Sequence, residues 1–333
     1  MTSPLAVTLG DPAGVGPELV CAAWAARSAE GLRPFAVIGG AEILKSAAIR
    51  RGLDMPVHAV SDIAAATRVF PDALPVLDGS DGDYRPGQPE PGGARIALSS
   101  LETGVSLAVD GTASGVVTGP IDKARMAAVG FAYPGQTEFV ADRCGLRAED
   151  AVMMLAGPQL RTVPVTVHVA LARVPALLTT ELITNRARIV AEALARDFGI
   201  PAPRLALAAL NPHAGEYGLM GDEEQQAIAP AIAALRAGGI EASGPHPADS
   251  LFAPRSRPTY DAAIAMYHDQ ALIPLKALDF DAGVNVTLGL PIVRTSPDHG
   301  TAFSIAGTGK ADPGAMIAAL RMAGEIAARR AVG

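Results

Sequence analysis

Short apolar runs of four to eight residues alternate along the chain with longer stretches in which apolar positions recur every three or four residues. Runs of the first kind read as buried strands and stretches of the second as helices, and their alternation predicts βαβ units around a largely parallel sheet. Strands are expected at residues 5–9, 35–38, 57–60, 115–118, 151–155, 163–169, 205–210, 262–267 and 284–288. Those at 151–155 and 163–169 read as an antiparallel pair joined through Gly157-Pro158. Helical patterns run through Trp24, to about Arg51, to about Val109 and over 180–198, and again over 313–331. The helix at 180–198 carries Leu182, Ile183, Ile189, Val190, Ala193 and Leu194 on one face and stops at Gly199 with Pro201 behind it. Asp222 with Gln225 resembles a capping box opening a helix that ends near Gly238-Gly239. Between 80 and 93 the density of Gly, Pro and Asp denies both periods and predicts an irregular loop.

Composition narrows the class. A chain of 333 residues suggests about two domains. With 49% hydrophobic and 18% charged residues it can bury a sizeable core. A formal net charge of -7 argues against a nucleic-acid or anionic-membrane partner, and no apolar run approaches the length of a spanning helix. A cytoplasmic protein is expected. Cys21 and Cys144 are too few for a disulfide framework or a cysteine-rich zinc site. The basic residues are 23 Arg and only four Lys, which draws attention to Lys123, Lys276 and Lys310 in Gly- or Pro-punctuated segments.

Three histidines, His168, His213 and His268, stand at or just beyond the ends of apolar strands. Ligands in open α/β sheets bind outside the carboxyl ends of strands, so these rings can converge on a divalent cation and leave it an open coordination position. The alternative for each is a strand-capping or loop hydrogen bond. Asp249 and Asp269 could orient imidazoles or accept a proton, and Lys123 joins them as a candidate catalytic group. Lys276, Asn285 and Arg294 offer charge and neutral donors to a phosphate or carboxylate. The first glycine loop, Gly14-Val-Gly16-Pro-Glu-Leu19, lacks the third glycine of a Rossmann fingerprint and fits a plain tight turn. The segment 298–313 is more specific, because His299, Gly300, Gly307 and Gly309 allow close approach of a flat or phosphorylated ligand.

Over nearly its whole length the chain resembles the 4-hydroxythreonine-4-phosphate dehydrogenases of pyridoxal phosphate synthesis. The resemblance rests on Gly10-Asp-Pro-Ala-Gly-Val-Gly-Pro-Glu18, Thr118-Gly-Pro-Ile-Asp-Lys123, Pro134-Gly-Gln-Thr-Glu138, Asn211-Pro-His-Ala-Gly-Glu216, Tyr267-His-Asp-Gln270 and Asp298-His-Gly-Thr-Ala302. Residues 299–313 are also similar to the adenosine-binding loop of isocitrate and isopropylmalate dehydrogenases, which implies a non-Rossmann architecture of two α/β/α domains with a cleft between them. The cofactor-side domain is expected at 1–126 with 287–333, and the metal, substrate and dimerisation domain at 127–286.

The resemblance implies a homodimer with a shared active site in which His168, His213 and His268, drawn from both chains, hold one zinc, magnesium or cobalt ion. Gln136, Thr137, Lys276, Asn285 and Arg294 match substrate-binding positions, and His299, Gly300, Thr301, Ala302, Gly307, Gly309 and Asp312 fall in the loop for NAD or NADP. The implied reaction is oxidation of the secondary hydroxyl of a phosphorylated hydroxy acid, 4-phosphooxy-L-threonine, with decarboxylation to 3-amino-2-oxopropyl phosphate. Gln136 stands where the family usually has histidine and cannot carry its positive charge. That departure leaves room for family branches acting on 4-phospho-threonate or erythronate, or on an aromatic cis-dihydrodiol. From another class, an acyl-phosphate transferase uses a similar two-domain fold.

Overall fold

The computed structural model describes residues 3–332. Its strands, in chain order, are β1 (Leu5–Thr8), β2 (Phe35–Ile38), β3 (Val57–Val60), β4 (Leu74–Leu77), β5 (Val116–Thr118), β6 (Val152–Ala156), β7 (Arg161–Pro164), β8 (Arg204–Ala208), β9 (Glu241–His246), β10 (Ala262–Ala265), β11 (Val284–Leu288) and β12 (Arg294–Pro297). The chain divides into two compact units, one of residues 3–151 with 290–332 and one of residues 152–289.

In the first unit the strand order is β3-β4-β2-β1-β5-β12 and every pair is parallel. All residues of β1, β2, β4 and β5 are buried, which is what continuous apolar strands covered on both faces require. The chain leaves β1 toward β2 on one side while β5 lies on the other, so the order reverses at β1, where open α/β sheets seat their ligands. Backbones meet closely there. Gly10 has φ +70°, and a Cβ on it would lie 2.6 Å from the Pro120 carbonyl oxygen. One on Gly14 would lie 2.8 Å from the Thr301 oxygen. The first glycine loop therefore serves close packing of three strand-end segments, in keeping with its incomplete fingerprint.

In the second unit the order is β11-β6-β7-β10-β8-β9. The pairs β11–β6 and β6–β7 are antiparallel, as the Gly157-Pro158 turn suggested, and the remaining three are parallel. A bidentate ion pair ties β8 to β10: Arg204 donates from Nε and Nη2 to the Asp261 carboxylate at 3.1 Å each, and the Arg204 backbone N–H donates to it at 2.8 Å.

Four expectations need correction. The run 163–169 is strand only to Pro164, because from Val165 its N–H groups follow β10 outward and His168 turns to φ +52°. The capping box at Asp222 does not form. Its carboxylate takes the Gln226 side chain, and residues Glu224–Ile228 wind as a π-helical turn ahead of the helix Ala229–Ala237. Residues 127–151, expected in the second domain, belong to the first unit, where Phe131, Phe139, Val140 and Ala141 join the core built on Leu101 and Val105. The helices Lys123–Ala128, Gln136–Arg143 and His268–Asp279 and the strands β4, β9 and β12 were not foreseen. The helices are short or carry a proline inside, Pro274, and the strands lie in segments rich in Pro, Gly or polar residues.

Candidate active site

Strands β7, β10 and β8 are adjacent and parallel, so His168, His268 and His213 all follow carboxyl ends on one side of the second unit's sheet. Two of the rings come together. His168 and His268 have ring centroids 5.7 Å apart and line a cavity of about 260 Å³ with Thr166, Val169, Leu171, Val174, Tyr267 and Asp269. His268 opens the helix His268–Asp279, and its Nδ1 lies 2.7 Å from Asp269 Oδ1. With the carboxylate as acceptor, Nδ1 keeps the proton and Nε2 presents its lone pair, the arrangement that prepares an imidazole for a cation. Thr166 is fixed by donating its hydroxyl to the Met266 carbonyl at 2.8 Å.

His213 is placed differently. It sits on an excursion after β8 in which His213, Ala214, Gly215, Glu216 and Tyr217 are all left-handed, with φ between 41° and 75°. For non-glycine residues this costs roughly 1–2 kcal/mol each and persists only when the surroundings enforce it. Glu224 supplies that enforcement. Only 4% exposed, it accepts the N–H groups of Leu210 and Asn211 at 2.9 and 2.8 Å on Oε1 and the Asn211 side-chain amide at 3.0 Å on Oε2. The π-helical turn puts Glu224 in that position, and such turns mark functional sites. Among the described residues no group of three or more His, Cys, Asp or Glu side chains could hold a metal ion. The expected trio is not assembled within one chain, because the excursion carries His213 outward, next to a Tyr217 that is 99% exposed and a Leu219 that is 83% exposed.

The first unit buries a guanidinium. Arg294, at the start of β12, is 4% exposed, and its Nη2 donates to the Thr118 hydroxyl at 2.8 Å and to the Gln136 amide oxygen at 3.1 Å. Burial pushes its pKa down to about 10, against the pull of the Glu138 carboxylate, so the guanidinium remains charged at neutral pH. Gln136 opens the helix Gln136–Arg143, and its Nε2 donates to the Gly119 carbonyl at 3.0 Å. Both ends of its amide are thus used to orient Arg294, which carries the charge that Gln136 lacks. Lys123 Nζ lies 3.8 Å from where a Cβ on Gly135 would sit, so the two cations flank the segment Gly135–Thr137.

In the loop 299–312, Ala302, Gly307 and Gly309 have positive φ, and nothing lies within 4 Å of the space a Cβ on Gly300 or Gly309 would fill. Val15 N–H donates to the Thr301 carbonyl at 2.9 Å. His299 Nδ1 lies 3.0 Å from the Gly300 oxygen, and its Nε2 is buried with no hydrogen-bond partner among the described residues. Asp312 accepts the Gly314 N–H at 2.7 Å at the start of the helix Gly314–Arg330.

The other candidates divide. Asn285 on β11 has a buried Oδ1 with no hydrogen-bond partner among the described residues, and Lys276 Nζ lies 5.6 Å from the Phe280 ring centroid. Asp249 is exposed on the four-residue helix Ala248–Leu251. Cys21 is buried with its thiol pushed up to about 12 by desolvation, the inert residue expected of it. No helix among the described residues is long and apolar enough to cross a membrane. Sequence reasoning missed Thr118 and Glu224. The first was visible only as part of a motif, and the second carried no signal, being one of several acidic residues in a polar run.

The family described as "Pyridoxal phosphate biosynthetic protein PdxA" matches residues 31–323. A 4-hydroxythreonine-4-phosphate dehydrogenase of Erythrobacter litoralis is 64% identical over 328 residues, 98% of each chain. One from Zymomonas mobilis is 55% identical, covering 98% of this chain and 96% of its own. A solved structure of the Klebsiella pneumoniae 4-hydroxythreonine-4-phosphate dehydrogenase superposes with a TM-score of 0.87 at 38% identity, covering 98% of both chains. The chain belongs to the pyridoxal phosphate biosynthetic PdxA family.

Proposed function

We propose that this chain is an NAD(P)-dependent, metal-dependent dehydrogenase that oxidises the secondary hydroxyl of 4-hydroxythreonine 4-phosphate, with decarboxylation to 3-amino-2-oxopropyl phosphate. The observation that carries this reading is the buried Arg294 guanidinium, oriented by Thr118 and Gln136, in a chain whose full-length relatives bear that activity in their names. A desolvated cation beside the exposed ammonium of Lys123 suits a dianionic phosphate. Thr137 adds a hydroxyl at the same helix start, and within the second unit Lys276 carries a charge and Asn285 a buried oxygen suited to a substrate donor.

His168 and His268 fit a divalent cation of the zinc, cobalt or magnesium kind as two neutral imidazoles on one cavity, with Asp269 fixing the tautomer of the second. We assign the third ligand to His213 of a second copy. The strained, anchored excursion presents it outward among the exposed Tyr217, Leu219 and Met220, an apolar group that a partner subunit would cover. A divalent cation held there would supply the charge that lowers the pKa of the substrate hydroxyl and stabilises enolate charge, and a nicotinamide held by the loop would supply the hydride acceptor. The chain's part is to hold His299, Gly300, Thr301, Ala302, Gly307, Gly309 and Asp312 as the dinucleotide loop. Asp269 serves His268, which leaves Asp249 as the carboxylate proton acceptor, while the ammonium of Lys123 can only donate.

Formation of reduced dinucleotide from 4-hydroxythreonine 4-phosphate, with and without a chelator, tests this. Turnover that stops on chelation and returns with added metal is expected. Turnover of unphosphorylated diols alone, or indifference to chelation, contradicts it.

A further inference from the structure

The first glycine motif ends in Glu18, a residue that the packing of Gly10, Gly14 and Gly16 does not explain. Its side chain is 2% exposed, yet it is ionisable and lies in the first turn of the helix Gly16–Ala25. Its carboxylate faces two ways. Oε1 accepts the Gly307 N–H at 3.0 Å, and Oε2 pairs with Arg51 Nη1 at 3.3 Å. Arg51 closes the helix Ala41–Arg50, and its Nη2 donates to the Ala311 carbonyl at 3.0 Å, while Arg50 Nε donates to the Gly307 carbonyl at 2.8 Å. Glu18 thus joins two helices to both ends of the segment 307–311. Pro86 and Arg50 crowd the segment at Gly307, where a Cβ would lie 2.5 Å from Pro86 Cγ and 2.8 Å from Arg50 Nε.

We infer that Glu18, acting with Arg51, is a positioning residue for dinucleotide binding: it holds the segment Gly307–Ala311 in the shape that receives the cofactor without touching it. This rests on the reading of 299–312 as the dinucleotide loop. A buried carboxylate that accepts a backbone N–H and a guanidinium forms charge-assisted bonds, and a loop preorganised in this way binds without an ordering penalty. Gly300 and Gly309 leave the outer face of the loop open, while Glu18 and Arg51 act from behind it.

The test uses the full chain with Glu18→Ala and Glu18→Gln, checked for folding by thermal melting. Steady-state kinetics are measured with NAD, NADP and the phosphorylated substrate. Glu18→Ala should raise the dinucleotide KM about tenfold for both cofactors, while the substrate KM and the kcat at saturating dinucleotide stay within about twofold. Glu18→Gln, whose amide oxygen still accepts the Gly307 N–H, should recover part of the loss, and it carries the test if the alanine variant does not fold. An unchanged dinucleotide KM in the folded variants overturns the inference. So does an equal loss for substrate, or a selective gain for the cofactor bearing a 2′-phosphate, which would make Glu18 a screen for Arg51. Gly300→Leu, which projects into open space, separates the two levels. If it leaves dinucleotide binding intact, the loop reading fails; if it blocks binding while the Glu18 variants do not, only the positioning role fails.

Discussion

Replacing Arg294 by lysine would keep the charge and lose the fork. The guanidinium spans Thr118 and Gln136 from a single Nη2, and a lysine in the same buried place has no planar edge left to offer a phosphate. Arg294→Lys should therefore raise the KM for the phosphorylated substrate by about ten- to a hundredfold and leave the dinucleotide KM near its original value, as initial-rate kinetics would show. Equal KM values for substrate would remove Arg294 from phosphate binding. Arg294 and Asn285 were legible as polar residues spread around strand ends beyond the last strand-end histidine. What Gln136 does was not, because its role comes from Gly119 and Arg294, which are remote from it in sequence and close only once β5 and β12 pair.

Among the elements, the strands that bear the site are held by charges as well as by apolar burial. Partial burial raises the Asp261 carboxyl, but the hydrogen bonds and charge of Arg204 outweigh it and hold the group below the usual carboxylate range. Since the folded value lies below the unfolded one, the stabilisation is complete above roughly pH 4 and is lost as pH falls through the folded value. Asp261→Asn should unfold more easily than the parent at neutral pH, and the difference should close in acid; a gap independent of pH would contradict the linkage. Glu224→Ala should free the excursion that carries His213, lowering metal content and activity, with stability falling by roughly 1–3 kcal/mol as its partners lose their acceptor. Metal content equal to the parent's would show that the excursion needs no such anchor. The strands and the helix Thr180–Phe198 were readable because apolar period and a glycine stop agree there. The π-helical turn at Glu224–Ile228 was not, because its helical sequence is rewound to bring a carboxylate to Leu210 and Asn211.

Taken as a molecule, the chain carries two histidines on one cavity and a third on an outward excursion beside exposed apolar side chains. The linear pattern showed three strand-end histidines; it could not show that one of them lies on a left-handed excursion, since left-handed backbone at four non-glycine residues has no sequence signature. Tyr217→Glu with Leu219→Asp should give a monomer that has lost both metal and turnover, measurable by light scattering and metal analysis, whereas a metal-loaded monomer would return the third ligand to the same chain. The most direct measurement is subunit mixing. His213→Ala and His268→Ala, each inactive alone, are unfolded, combined in equal amounts and refolded. Ligands drawn from both chains leave one intact site in every mixed dimer, so about a quarter of the parent's activity should return. A mixture that stays inactive, though mixed dimers have formed, would mean that each chain supplies its own three histidines.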